Sequence, residues 1–195
     1  DDSARDKSYY LLLDFEADVR PAVTSSFDKN TTAEQKNEKT TELLKRTQES
    51  YQKAIDKLNE QGVKLIVTVD NGISAVDEID FAASLDIDVV VTDHHQPAKV
   101  LPNAVALVDP HLGMPADCFV DYAGVGVAFK LICALEGCSC EEMMEQYGDL
   151  VAIGTIADMV PLVGENRVMV IQGLERINNL SRIGVKELII AAEVM

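Results

Sequence analysis

Two continuous apolar runs in this chain stop abruptly at groups able to hold a metal ion. Residues 63–69 lead into Asp70-Asn71-Gly72, and residues 87–92 lead into Asp93-His94-His95. Runs rich in β-branched residues without polar alternation read as strands buried on both faces, the pattern of a parallel sheet layered with helices. Residues 75–85 between them carry helical spacing, 104–108 read as a further strand, and the short run Tyr9 to Leu13 ends likewise at Asp14. Sheets of this kind gather ligands beyond the carboxyl ends of their strands, where Asp14, Asp70 and Asp93 all fall.

The expected class is therefore α/β, a parallel β-sheet covered by helices on both faces, with a helical C-terminal part. Helices are expected at 124–135, Cys140–Ala157, 165–177 and 185–194, punctuated by Gly, Asn and Pro. They form either a second lobe or a continuation of one core. Residues 28–60 are polar, with Leu43, Leu44, Tyr51, Ala54, Ile55 and Leu58 as sparse apolar points. That pattern predicts a polar loop leading into one amphipathic helix with a solvated face.

A third carboxylate, Asp158, follows the apolar run Gly154-Thr155-Ile156-Ala157, which reads as buried helix. A buried carboxylate is costly unless its charge is compensated. One aspartate at a strand end is commonly a loop residue or a helix cap. Three, with His94 and His95, point to a divalent metal centre.

Charge limits what such a centre serves. The chain of 195 residues carries −16, and its first 62 residues, with ten basic and thirteen acidic side chains, leave −13 on the rest. That sign opposes a long duplex footprint, which depends on Lys and Arg displacing counterions. A metal still permits one phosphate to be accepted locally. No apolar run approaches the roughly 20 residues needed to span a bilayer, and the amino terminus lacks the pattern of a signal peptide. No membrane partner and a cytoplasmic location are the expectation. Cys118, Cys133, Cys138 and Cys140 contain no Cys-x-x-Cys pair and read as reduced thiols rather than zinc ligands.

Four segments in order, Val69 to Ser74, Thr92 to His95, Ala123 to Leu131 and Gly154 to Leu162 followed by Glu165-Asn166-Arg167, resemble the DHH phosphoesterases. Within that superfamily they resemble the RecJ-type single-strand-specific exonucleases, over about residues 60–180. The resemblance implies an upstream Asp-x-Asp-x-Asp-Gly motif. Here it falls on Asp14, Glu16 and Asp18, with Asp18 52 residues before Asp70, Glu16 in place of an aspartate and Val19 in place of the glycine. A Glu-Gly-Tyr-Gly segment of such proteins survives only as Glu49 and Tyr51.

The resemblance implies two ions, Mn²⁺ or Mg²⁺. One would be held by Asp14, Glu16 and Asp70; the other by Asp18, Asp70, His94 and Asp158, with Asp70 shared. Asp93 would be a ligand or would orient His94, and His95 would face the phosphate as a hydrogen-bond or proton donor. Gly124 and Gly126 serve either close helix packing or backbone approach to substrate, and Arg167 either a substrate contact or an ion pair. His111 reads as a turn residue, and Met143-Met144 as core or interface filler.

The domain expected is a DHH catalytic domain over 1–195. It comprises a divergent 1–62, a β/α core at 63–110 and a mainly helical 111–195, with downstream substrate-binding domains absent. The implied activity is 5′–3′ hydrolysis of single-stranded DNA in repair and recombination. Single-stranded DNA would bind weakly without those domains, and replication or repair proteins would be partners. Two other readings stand beside it. One is a phosphoesterase of short oligonucleotides or cyclic dinucleotides; the other is a catalytically silent scaffold in a replication assembly.

Overall fold

Three of the expected strands form where their apolar runs fall, each a residue or two shorter, and the run Tyr9 to Leu13 lies outside the described residues. In the computed structural model, which describes residues 33–179 and 182–193, they are β1 (Leu65–Val69), β2 (Asp88–Thr92) and β3 (Ala106–Val108), in the sheet order β1-β2-β3. Asp88 donates its N–H to Lys64 O at 2.9 Å, and Asp70 donates to Thr92 O at 3.0 Å. Val105 donates to Val89 O and Asp93 to Val108 O. Both members of each pair advance together, so the sheet is parallel, as expected for the α/β class.

Six helices accompany the strands among the described residues: α1 (Ala33–Glu60), α2 (Val76–Ser84), α3 (Gly124–Glu136), α4 (Cys140–Ala157), α5 (Gly164–Asn178) and α6 (Ile183–Ala191). The polar segment expected as loop and then helix is helical from Ala33 onward. None of these helices is long and apolar enough to cross a membrane.

The described residues fall into two compact units interleaved along the chain. The first takes 33–68, 75–90 and 101–106; the second takes Val69–Ser74, Val91–Val100, 107–179 and 182–193. In the first, α1 packs on α2, Gln48 reaches Asp77 at 3.1 Å, and Ile55 is the buried side chain among those described on α1. Most other positions of α1 are polar, as a solvated helix face requires.

The second unit has an apolar centre of Tyr122, Val127, Phe129, Cys133, Met143, Met144, Val151 and Met169. The methionine pair is thus core. All four cysteines are free. Helix α4 starts where its capping box dictates: Ser139 Oγ accepts the Glu142 N–H, and Glu142 accepts the Ser139 N–H, which satisfies two otherwise orphaned donors. Helices α4 and α5 cross at Gly148 and Gly173, where a Cβ on Gly173 would overlap Gly148 O and Ala152 Cβ. Only hydrogen side chains allow so close a crossing.

Candidate metal centre

All the centre's described residues belong to the second unit. Asp70 is the residue after β1, pinned by its N–H to Thr92 O and held in a left-handed backbone (φ 62°). Aspartate tolerates that conformation better than most residues. Its side chain leans past the strand end, where a Cβ on Gly124, the first residue of α3, would overlap the Asp70 carboxylate. The glycine there makes room for the carboxylate. Gly126, by contrast, packs against Tyr122 and Met169.

Asp93 follows β2 and is 1% exposed. Its Oδ2 accepts the Ile73 N–H at 2.9 Å. Its Oδ1 accepts the N–H groups of His94 at 2.8 Å and His95 at 3.2 Å, and meets His95 Nδ1 at 2.6 Å. Burial opposes its ionisation, but these hydrogen bonds, led by that from Ile73, hold it below the ordinary carboxylate range. Both oxygens are occupied by protein donors, and the ring they orient is that of His95, whereas the expectation was His94.

His95 in turn is 61% exposed at its side chain. Burial acts to lower its basicity, and the Asp93 hydrogen bond more than offsets this, so its pKa lies above the ordinary value.

His94 turns the other way. Its Nε2 is buried without a hydrogen bond, yet lies 3.0 Å from Asp70 Oδ1 and 3.5 Å from Asp158 Oδ2. Asp158 is the C-cap of α4. Burial, then the negative charge of Asp158, raises the pKa of Asp70, although His94 opposes the shift. Donor atoms of Asp70, His94 and His95 lie within 4.8 Å of one another. An orphaned imidazole nitrogen facing two carboxylates is relieved by a cation at their common focus, and oxygen ligands with one imidazole suit a hard divalent ion. Asp70, His94 and Asp158 could hold it.

The expectation that these carboxylates are buried fails for two of them. Only Asp93 is buried; the side chains of Asp70 and Asp158 are 53% and 34% exposed. Each sits one residue beyond its strand or helix, where the carboxylate reaches past the apolar layer. Asp14, Glu16 and Asp18 lie outside the described residues. Arg167 is exposed, with no ion pair among the described residues. The His111 N–H donates to Asp109 Oδ1 at 2.8 Å, and its ring lies near Gln96, a turn as expected.

Sequence reasoning missed several supports. Lys130 pairs with Glu165, Tyr122 hydrogen-bonds the same carboxylate, and Lys130 lies 5.7 Å over the Tyr122 ring. Burial and the Glu165 hydrogen bond push the Tyr122 hydroxyl up to about 12. Asn166, wholly buried, donates to Asp121 O at 2.6 Å and Pro161 O at 3.1 Å. These bonds tie the start of α5 to the segment before α3, whose first residue borders Asp70. A lysine inside an apolar helix and a Glu-Asn pair at a helix start were the available signals. Asp109 was also missed: it is 6% exposed, its Oδ2 has no partner, and burial raises its pKa.

A parallel α/β sheet that gathers carboxylates and an Asp-His-His run at its strand ends defines a class of domain suited to holding a metal ion there. The family model described as "DHH family, N-terminal domain" matches residues 8–155. The chain belongs to the DHH family. It is 48% identical over 138 residues to the single-stranded-DNA-specific exonuclease RecJ of Bacillus subtilis, covering 71% of this chain and 17% of that protein. Against the protein of the same name from Escherichia coli it is 43% identical over 150 residues, covering 69% of this chain and 26% of the relative. A crystal structure of RecJ in complex with Mn²⁺ from Thermus thermophilus superposes with a TM-score of 0.61 at 36% identity, covering 72% of this chain and 21% of that one. The chain thus spans about a quarter or less of these relatives.

Proposed function

We propose that this chain is the catalytic part of a metal-dependent exonuclease that hydrolyses single-stranded DNA from a 5′ end. The observation that carries the reading is His94 Nε2, buried and without a hydrogen bond, facing Asp70 Oδ1 and Asp158 Oδ2. The similarity to single-stranded-DNA-specific exonucleases supports the strand preference, the resemblance of the sequence motifs implies the 5′ polarity, and the Mn²⁺ complexes of similar structures support the metal.

Asp70, His94 and Asp158, with Asp14, Glu16 and Asp18 upstream, would hold two Mn²⁺ or Mg²⁺ ions. When bound, such ions neutralise charge on the scissile phosphate and acidify water. The chain's own residues supply the rest. Asp93 holds the His95 ring through Nδ1, and Nε2 at the exposed edge of that ring donates a proton toward the departing oxygen. The start of α3 at Gly124 offers its backbone N–H to the phosphate, whereas that of Gly126 is taken by Ala123 O, and Arg167 adds a positive charge. The domain spans 1–195.

The acidic balance supports a second reading, a phosphoesterase of short oligonucleotides. Cleavage of 5′-labelled strands of two, six and thirty nucleotides with Mn²⁺ separates the two. Preference for the longest strand with release of mononucleotides supports the exonuclease; preference for the dinucleotide supports the second reading. Retention of most activity by Asp70→Ala would overturn both.

A further inference from the structure

Beside the centre the backbone takes a turn that its side chain does not favour. Met159, directly after Asp158, adopts a left-handed conformation (φ 57°) with 88% of its surface exposed. That backbone costs a residue with a Cβ roughly 1–2 kcal/mol, and the exposed thioether leaves apolar surface in water. Ile156, Leu162 and Val163, within the same eight residues of chain, are exposed at 44%, 43% and 53%. Apolar surface concentrated at a site marks contact with something else.

Charge narrows what that is. Residues 63–195 carry −13, so cations that would track a phosphate backbone are scarce there. A single strand offers a second handle, the flat faces of its bases, which engage sequence-tolerant stacking surfaces. A thioether is well suited to such a face. Duplex DNA keeps those faces stacked on one another.

We propose that Met159 is a substrate-contact residue: its side chain takes the face of the unstacked base next to the phosphodiester held at Asp70, His94 and Asp158. Leu162 and Val163 extend the apolar rim. This rests on the single-strand nuclease reading above.

The test compares two single strands in Mn²⁺, one all thymidine and one with abasic sugars at its first two 5′ positions. Asn in Met159→Asn tolerates the left-handed backbone and removes the apolar surface, whereas Met159→Leu keeps it. The wild-type chain is expected to show a KM about tenfold lower for the thymidine strand, of the order of one base-stacking contact. Met159→Asn raises that KM to the abasic value while kcat is retained, and Met159→Leu restores the difference. Fluorescence anisotropy of both strands in Ca²⁺ follows KM. If Met159→Asn leaves the difference between the strands intact, the contact is refuted alone. A wild-type chain that cuts neither strand overturns the nuclease reading, and the contact with it.

Discussion

Gly124→Ala separates the helix from the metal site. Gly124 is helical, and alanine at a helical position is favoured over glycine by up to about 1 kcal/mol. Local propensity alone would therefore make the substitution stabilising. The structure predicts otherwise, because the added Cβ would lie 2.5 Å from Asp70 Cβ and closer still to the carboxylate. Ordinary carbon contacts are about 3.5 Å or more, so Asp70 must retreat by roughly 1 Å. Its Oδ1 stands 3.0 Å from His94 Nε2, and a displacement of about 1 Å at a reacting centre costs on the order of 10²-fold in rate, or ~2.7 kcal/mol. Overpacking of about 1–3 kcal/mol offsets the helical gain, so metal-free thermal stability shifts by no more than a few degrees. Calorimetric titration with Mn²⁺ and cleavage at saturating metal read the expected losses of at least tenfold in affinity and about a hundredfold in kcat. Native Mn²⁺ affinity and turnover in Gly124→Ala would refute the argument that this glycine makes room for a ligand.

Asp70→Asn removes a carboxylate crowded by Asp158 and places at φ 62° a residue well suited to it; differential scanning without metal should show a melting temperature equal to or above wild type, while Mn²⁺ binding is lost. Buried Asp149 is held below the ordinary carboxylate range, burial being outweighed by the Arg182 Nε bond at 2.7 Å and by the Leu150 N–H. Its contribution is therefore complete above the unfolded value of about 3.9 and is lost as pH falls through the lower folded value. Arg182→Ala should cost about 2 kcal/mol at pH 7, a reduced figure for a buried pair because Arg182 is 36% exposed. Its urea midpoint should then depend less on acid pH than that of wild type. Gly173→Ala should destabilise by about 1–3 kcal/mol through overlap with Gly148 O, read as a lowered urea midpoint with an unchanged slope.

The elements were legible because their signals are local. β-branched runs gave the strands, and the helical pattern punctuated by Gly, Asn and Pro placed α4 at Cys140–Ala157, where it lies. Exposure was not legible in the same way. Ile156 and Ala157 made Asp158 read as buried, yet a side chain one residue past a helix end answers to geometry beyond the helix, and Asp158 is open. The division of labour in Asp93-His94-His95 was also hidden. Adjacent rings diverge, one toward Asp70 and the other onto Asp93, and spacing alone does not say which turns where. The Lys130–Glu165 pair spans 35 residues, a separation that no periodicity encodes.

The crossing at Gly148 and Gly173 gives α4 a fulcrum. Asp158 lies ten residues beyond Gly148, an arm of about 15 Å at 1.5 Å per residue. Tilting such an arm by roughly 4° moves its tip by about 1 Å, the scale on which a ligand set gains or loses its ion. Substitutions at this crossing, remote from every ligand, would act as a fine adjustment of the centre, tuning metal choice without touching a donor atom.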